Sequence, residues 1–475
     1  MRVKNFLKTE SYMTEDKNTA AAGNGAFYRA LWRWHFYAGL LVIPFLLALA
    51  GSGLLMLLSK PVDGLLQKNL TQVSVDGEAL PASTLLAAVR EQFPQSRVKL
   101  YIPPSDTTHS AQFLLVSHHA SGHAGGHGAP SSTAYVNPYN GEVLGTLDPT
   151  TTLYDAIKGF HGKLYLGDVG DGLIEITAGL AILMVLSGLY LALHRHGWRE
   201  MIPSKTLVSR TDWRRLHSFI GLLIALPLVF FLLSGLSWTN VWGGKLTQAW
   251  SSLPGSTFVA PVAEETHDSM NHEGMHHVPW ALEQTPMPRS GKAAEMASEM
   301  NIDKVSHIAV EQGFGHFRVH LPANDDGVWT ISATTMAGDL TNPLQERTLH
   351  LDRHTGEILA DIRFADYSPM GKAMAAGIPL HQGDLGLWNL VTNLLFCALI
   401  ILMISGGIMM WWKRRPQNTR TLVPPTAHPA ANKAVVALMF VAALCFPLSA
   451  AAIIAIIIVD LILISRVETL RLIFK

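Results

Sequence analysis

Four histidines stand at the ends of apolar runs, in two pairs of matching motifs. His35 lies in RWHFYAGL and His217 in RLHSFIGL, each with an arginine two positions before it and a glycine four positions after it. A Ser-Gly pair follows each of these histidines at 17 and 18 positions. His161, in FHGKLYLGD, and His381, in LHQGDLGLW, each precede a further apolar run. Such a repetition of motifs indicates an internally duplicated chain.

The chemistry that suits paired histidines of this kind is axial ligation of haem iron. Two neutral imidazoles on opposite sides of the ring give a six-coordinate iron that transfers electrons rather than binding oxygen. If successive apolar runs cross the membrane in opposite directions, His35 and His217 lie at its cytoplasmic side and His161 and His381 at its periplasmic side. We therefore interpret the four as ligands of two haems, one near each membrane face.

Two other interpretations of these histidines are open. A single histidine beside an apolar run is commonly an interfacial polar anchor, but polar residues within membrane spans are costly and usually functional, and here there are four. A zinc or other metal site is less favoured, because no carboxylate or thiolate accompanies the histidines at ligand spacing.

The apolar runs that position the histidines predict a membrane protein. Hydrophobic residues make up 49% of the chain and charged residues 15%, against about a quarter charged in soluble domains. Four runs reach the length of about 20 residues that a bilayer requires. They cover residues 36–58, 173–193, 219–241 and 388–412. A fifth stretch, 434–464, is interrupted by Pro447 and predicts a kinked helix or a re-entrant hairpin.

The distribution of basic residues predicts the orientation. Lysine and arginine concentrate in the amino-terminal tail, in the loop 194–216 and directly after Trp412, and basic loops stay in the cytoplasm. The amino terminus is then cytoplasmic, the first run is a retained signal anchor, and the two large polar segments lie in the periplasm of a bacterial inner membrane. A formal net charge of zero argues against nucleic-acid binding. The two cysteines, Cys397 and Cys445, both lie in apolar runs and supply no CxxCH haem attachment.

Each large polar segment predicts a small α+β domain. Helix-like stretches at 81–93 and 291–300 precede the strand–turn–strand patterns at 134–148 and 349–363. The expected fold class is therefore an integral membrane α-helical bundle with two periplasmic α+β domains. The predicted boundaries are a tail (1–34), a first span (35–58), a first periplasmic domain (59–160), a second span with its preceding histidine (161–193), a cytoplasmic loop (194–216), a third span (217–241), a second periplasmic domain (242–380), a fourth span with its preceding histidine (381–412), a loop (413–433), a fifth span or hairpin (434–465) and a tail (466–475).

From Arg29 to about Ile464 the chain resembles the PepSY-associated transmembrane family, which includes ferric-siderophore reductases of the ferrioxamine B reductase type. The resemblance rests on RWHFYAGL, RLHSFIGL, FHG, LHQGDLG, the Ser-Gly pairs and the two GE(V/I)L turns. It implies two non-covalently bound haems b in the helix bundle and PepSY-type domains outside it. It does not by itself identify the substrate.

Further histidines leave alternatives open. His194 and His196, where the second run ends, are possible replacements for a cytoplasmic-side ligand. Two segments rich in histidine, 117–128 and 267–277, are expected to be mobile. They either bind copper or another divalent metal, or are flexible solvated loops whose histidines bind metal only adventitiously. Their candidate ligands are His118, His119, His123, His127, His267, Met270, His272, Met275, His276 and His277.

The favoured function is reduction of ferric siderophore-type chelates in the periplasm by electrons from the cytoplasmic side. The donor is expected to be a quinol or a cytoplasmic reductase, because no GxGxxG stretch follows a strand on that side. The alternatives are a copper or metal reductase, a metal-binding protein, and a non-enzymatic binding or inhibitory protein of PepSY type. No individual catalytic residue is predicted.

Overall fold

The structure of the 475-residue chain is a computed structural model. It describes residues 2–117, 131–195, 201–203, 205–247, 262–271, 278–291, 300–414 and 428–459, with positions 462, 466 and 467, and the backbone alone for residues 2–24. The chain divides into two compact units. The helix unit comprises Met1–Leu54, His161–Leu246 and Leu395–Lys475, and the sheet unit comprises Leu55–Phe160 and Thr247–Leu394.

Eleven α-helices are found among the described residues. They are α1 (Arg2–Leu66), α2 (Lys68–Thr71), α3 (Ala82–Gln92), α4 (Leu153–Lys163), α5 (Gly167–Arg195), α6 (Arg210–Leu236), α7 (Ile302–Glu311), α8 (Pro369–Gln382), α9 (Leu387–Arg414), α10 (Pro429–Ala443) and α11 (Pro447–Val459).

Four of these helices contain segments long and apolar enough to cross a membrane, which confirms the four predicted spans. They are Gly25–Leu66, Gly167–His194, Arg210–Leu236 and Leu387–Arg414. Leu226 on α6 is 82% exposed, as expected for a side chain whose solvent is lipid rather than water. A capping box, in which Ser209 and Asp212 satisfy each other's backbone N–H groups, begins α6.

The fifth apolar stretch forms two short helices. Its chain leaves helical geometry after Ala443 and re-enters it at Pro447, giving α10 with 15 residues and α11 with 13. Each is shorter than the roughly 20 residues of a membrane-spanning helix. Gly179 on α5 faces α11, where an added Cβ would lie 2.2 Å from Ser449 Oγ. The helix axes therefore approach as closely as glycine allows.

The core of the helix unit is apolar and draws on α1, α5, α6, α9, α10 and α11. Fully or nearly fully buried side chains include Val42, Leu183, Ile224 and Ala443. Phe231 and Phe396 stack within it, with ring centroids 4.5 Å apart. Because these neighbours are apolar, the polar side chains of the unit find their hydrogen-bond partners mainly in one another and in the backbone.

Ten strands are described. They are β1 (Ser96–Ile102), β2 (Ala111–Ser117), β3 (Ser131–Val136), β4 (Val143–Leu147), β5 (Val262–Thr266), β6 (Pro286–Pro288), β7 (Arg318–His320), β8 (Trp329–Ala333), β9 (Arg347–Leu351) and β10 (Ile358–Arg363). Eight form one antiparallel sheet in the order β10-β9-β8-β7-β1-β2-β3-β4, and β5 pairs with β6 alone.

The eight-stranded sheet consists of two four-stranded meanders joined edge to edge. Strand β1 pairs with β7, with Leu100 opposite His320 and Tyr101 opposite Val319. Helix α3 precedes the first meander and α7 the second, and Leu85 and Val305 are buried in the common core. Two separate small domains are predicted from the sequence, whereas the structure joins their strands in one sheet.

The predictions of individual hairpins and helices in the sheet unit have different outcomes. The turn chemistry at Asn140-Gly141 predicts a hairpin, and β3 and β4 pair there as expected. Helix α3 occupies most of the predicted stretch 81–93. Most of the predicted helix at 291–300 lies outside the described residues, and the helix seen in this region is α7, which begins at Ile302.

Candidate functional site

His35 and His217 lie beside each other in the helix unit. Their ring centroids are 6.4 Å apart and their planes cross at 85°. Two imidazoles that bind one metal ion through bonds of about 2 Å have ring centres about 6 Å apart. The spacing of this pair therefore fits ligation of a single iron from two sides.

The Nδ1 atom of each ring is occupied by a hydrogen bond. His217 Nδ1 lies 2.9 Å from the carbonyl oxygen of Met403, and a carbonyl can only accept. His35 Nδ1 lies 3.0 Å from Ser187 Oγ, whose own proton is directed to the carbonyl of Met184. Both rings therefore carry their proton on Nδ1 and keep the Nε2 lone pair free for a metal, the arrangement usual for metal-binding histidines.

Glycines on the neighbouring helices make room for these two rings. A Cβ on Gly188 would lie 3.0 Å from His35 Cε1. Cβ atoms on Gly406 and Gly407 would lie 3.4 Å from His217 Cβ and 3.6 Å from its Cε1. Each imidazole thus rests against the backbone of a facing helix, α5 or α9, and the approach is tightest at Gly188.

His161 has the same local design. Its Nδ1 lies 2.9 Å from Ser52 Oγ, and Ser52 directs its own proton to the carbonyl of Ala48 at 2.7 Å. A Cβ on Gly53 would lie 3.4 Å from His161 Cε1. Ser52 and Gly53, the Ser-Gly pair of the first motif, therefore lie against the histidine that precedes the second span.

The start of α4, the helix that carries His161, is fixed by a buried carboxylate. Asp63 is 8% exposed, and its two oxygens accept the backbone N–H groups of Leu153 at 3.0 Å and Tyr154 at 2.8 Å. A negative group at a helix amino terminus satisfies unpaired donors and interacts favourably with the helix dipole.

His381 lies in the sheet unit, at the end of α8, where two buried asparagines hold the backbone. Asn393 Nδ2 donates to the carbonyls of Leu380 at 2.8 Å and His381 at 3.1 Å. Asn389 Nδ2 donates to the same carbonyl of Leu380 at 3.0 Å, and its oxygen accepts from Leu385 N at 3.1 Å. These contacts fix the turn between α8 and α9, whereas the pairing of His381 with His161 stays a prediction.

Several of these supporting residues are missing from the sequence-based prediction. They are Asp63, Ser187, Gly188, Asn389, Asn393, Gly406 and Gly407. A signal for part of this set exists in the sequence, because LSGL (186–189) and ISGG (404–407) repeat the Ser-Gly pairs in the second and fourth spans. The asparagines carry no comparable pattern.

The acidic residue Glu175 lies inside the second span and is 1% exposed. Its Oε2 accepts from the backbone N–H groups of Val241 at 3.3 Å and Trp242 at 3.2 Å. Asp171, one turn earlier, accepts from Asn240 N at 3.0 Å. The two carboxylates therefore cap the irregular chain that follows α6.

The alternative ligand His194 is exposed, and its ring stacks on Tyr190 with centroids 4.9 Å apart. A second tyrosine, Tyr28, lies 6.2 Å from the same ring. These ring contacts give His194 a structural role at the end of α5. His196 lies outside the described residues.

Most of the histidine-rich candidates also lie outside the described residues. They are His118, His119, His123, His127, His272, Met275, His276 and His277. His267 and Met270 are described, and the expectation that they belong to a mobile, solvated loop is wrong. Both are buried, at 0% and 8% exposure, because a short 3-10 turn folds them into the sheet unit.

His267 meets a second buried histidine that the sequence analysis did not single out. His267 Nε2 lies 3.0 Å from His350 Nε2. Burial lowers the pKa of His267 to about 4. Burial also lowers the pKa of His350 well below its ordinary value, with the neighbouring His267 and His320 acting in the same direction. Both rings are consequently neutral at physiological pH.

Within the described residues, no group of three or more His, Cys, Asp and Glu side chains is arranged to hold a metal ion.

Comparison with known proteins gives one assignment. A search of curated proteins found no match to this chain. Residues 32–414 match the family described as the PepSY-associated TM region, and this range includes the four spans, apart from the first seven residues of the first one, and the segments between them. The chain is a membrane protein and belongs to the PepSY-associated transmembrane family.

Proposed function

We propose that this chain is a di-haem oxidoreductase of the bacterial inner membrane. It passes electrons from the cytoplasmic side to the periplasm and reduces ferric iron held in siderophore-type chelates. The donor is a membrane quinol or a cytoplasmic reductase. The observation that carries the proposal is the His35–His217 pair, with its 6.4 Å centroid spacing and both Nδ1 atoms occupied.

In the proposed arrangement His35 and His217 hold the haem near the cytoplasmic face, and His161 and His381 hold the other. Bound haem supplies a one-electron carrier with no open coordination position when both axial sites are imidazole. The protein contributes the tautomer and the orientation of each ring. Ser187 and the Met403 carbonyl do so for the first pair, and Ser52 does so for His161.

The topology supports an internal duplication as the origin of this arrangement. Each half of the sheet is a four-stranded meander preceded by a helix, and each half of the chain contributes two spans. The basic loops 194–216 and 413–433 favour a cytoplasmic amino terminus and periplasmic sheet strands. Reduction on that side weakens chelation, because hard oxygen ligands hold Fe(II) less well than Fe(III).

A transmembrane assay tests this function. Protein reconstituted in vesicles receives a quinol in the bilayer and a ferric hydroxamate outside, and a membrane-impermeant chelator reports external Fe(II). We expect Fe(II) formation by the unaltered protein and by His307→Asn, whose side chain is 73% exposed on α7. We expect none with His35→Ala or His161→Ala. A colourless protein that restrains a protease or binds metal without electron transfer would instead support the non-enzymatic alternative.

A further inference from the structure

The sheet unit contains a pair of completely buried imidazoles that face each other. His267 and His350 are each 0% exposed, with Nε2 atoms 3.0 Å apart. His267 Nδ1 donates to the carbonyl of Thr285 at 2.6 Å, so the Nε2 atom of this neutral ring carries a lone pair. His350 Nδ1 lies 2.8 Å from the hydroxyl of Thr330. The two Nε2 atoms therefore share a single proton.

A thioether lies on the same side of the turn as the first histidine. His267 and Met270 are the first and last residues of a 3-10 helix, in which side chains three positions apart lie one above the other. Met270 also lines a cavity of about 230 Å³ together with Met287, His320 and Thr330. Thr330, whose hydroxyl lies 2.8 Å from His350 Nδ1, also lines this cavity and lies between it and the histidine pair.

We propose that His267, His350 and Met270 form a binding site for Cu(I). Two neutral imidazoles and a thioether are soft, uncharged ligands that suit a monovalent copper ion. Two imidazoles and a thioether differ from the four-ligand sets of carboxylate, thiolate and imidazole that Zn(II) prefers. None of its ligands belongs to the four haem-ligand candidates, so the site does not depend on the proposed electron transfer.

The separation of the two Nε2 atoms allows both to bind one ion after a small movement. Metal–nitrogen bonds of about 2 Å at trigonal angles require roughly 3.5 Å between the two Nε2 atoms. The observed 3.0 Å separation must therefore open by about half an ångström, which side-chain rotation can supply.

Binding does not require loss of a proton from the protein. When Cu(I) takes the Nε2 atoms, the proton on His350 Nε2 transfers to its Nδ1. The Thr330 hydroxyl, which can accept as well as donate, then receives that N–H. No bond to carbon forms or breaks, no electron moves, and the protein gains one positive charge.

The test uses the full-length protein with seven histidines outside the described residues replaced by serine. These are His118, His119, His123, His127, His272, His276 and His277. Cu(I) affinity is measured against a coloured Cu(I) chelator, and copper K-edge X-ray absorption identifies the ligands. We expect one tightly bound Cu(I) per chain, with two nitrogen neighbours and one sulfur neighbour at about 2.3 Å.

His267→Asn and His350→Asn place an amide near the former Nδ1 position and remove Nε2, and each should weaken Cu(I) binding at least 100-fold. His307→Asn, at an exposed position on α7, should leave it unchanged. Met270→Leu preserves the volume and should lose the sulfur neighbour. Because a buried asparagine can unfold the protein, the Met270→Leu spectrum gives a second answer. Unchanged affinity in a folded His350→Asn variant, an unchanged sulfur signal in Met270→Leu, or preference for Zn(II) over Cu(I) would overturn the proposal.

Discussion

Replacing Gly188 with alanine tests whether the ring of His35 is held in a position that matters. The new methyl carbon would lie 3.0 Å from His35 Cε1, whereas carbon atoms in contact are normally about 3.5–4.0 Å apart. The ring must therefore give way by a few tenths of an ångström. Its Nδ1 is tied to Ser187 Oγ at 3.0 Å, so this movement also strains that hydrogen bond.

The size of the effect follows from the packing. Overpacking a well-filled site costs about 1–3 kcal/mol, which corresponds to roughly 5- to 150-fold weaker binding of a group that needs His35 in place. We therefore expect the haem content of purified Gly188→Ala to fall from two per chain to about one, and one of the two redox transitions to disappear.

Gly39→Ala is the matched control. Its Cβ would lie 3.8 Å from Met184 Cε, an ordinary contact, and the gain in helix propensity is the same as at Gly188. Haem content is measured by alkaline pyridine spectroscopy and the transitions by potentiometric titration. Two haems with unchanged potentials in Gly188→Ala would refute the reasoning, because a methyl carbon 3.0 Å from Cε1 requires the His35 ring to give way.

Three further changes test the account elsewhere. Burial raises the pKa of Glu346 to about 7, so the folded protein holds a proton that the unfolded chain releases near 4.5. The free energy of unfolding should therefore fall by about 3 kcal/mol as the pH rises between these two values, and Glu346→Gln should abolish that slope in melting experiments. Gly179→Ala should lower the melting temperature, because its Cβ would lie 2.2 Å from Ser449 Oγ. Gly221→Ala, whose nearest contact would be at 3.6 Å, should leave the melting temperature unchanged. Equal melting temperatures of the two variants would contradict the close approach of α5 and α11. Asp63→Ala removes both acceptors at the start of α4 and should destabilise the protein by about 1–2 kcal/mol, and an unchanged urea midpoint would show that this cap is dispensable.

The spans and hairpins were predictable because they follow from local composition. Hydropathy finds an apolar window, and turn chemistry such as Asn140-Gly141 finds a hairpin, without reference to distant residues. Hydropathy does not find helix ends. The first span was predicted to begin at Phe36, but α1 is already helical many residues before this position and continues to Leu66. An existing helix extends through polar residues at little cost.

The remainder depends on contacts between residues far apart in sequence. The pairing of β1 with β7 joins segments more than two hundred positions apart, and no local pattern specifies it. His267 lies in a polar, histidine-rich stretch typical of a solvated loop, yet its neighbours Thr285 and His350 bury it. The hydrogen bond between Ser187 and His35 could not be predicted from the sequence either, although the repeated Ser-Gly pair marks Ser187 as a candidate.

The most direct test of the central claim is electron paramagnetic resonance of the oxidised, purified protein. If His35 and His217, whose ring centroids lie 6.4 Å apart, hold one iron between them, that iron would have no open coordination position and would give a low-spin ferric signal. We predict that signal in the unaltered protein and its loss in His35→Ala and His217→Ala. Absence of haem, or a high-spin five-coordinate signal that neither substitution changes, would contradict the assignment of this pair as ligands of one iron.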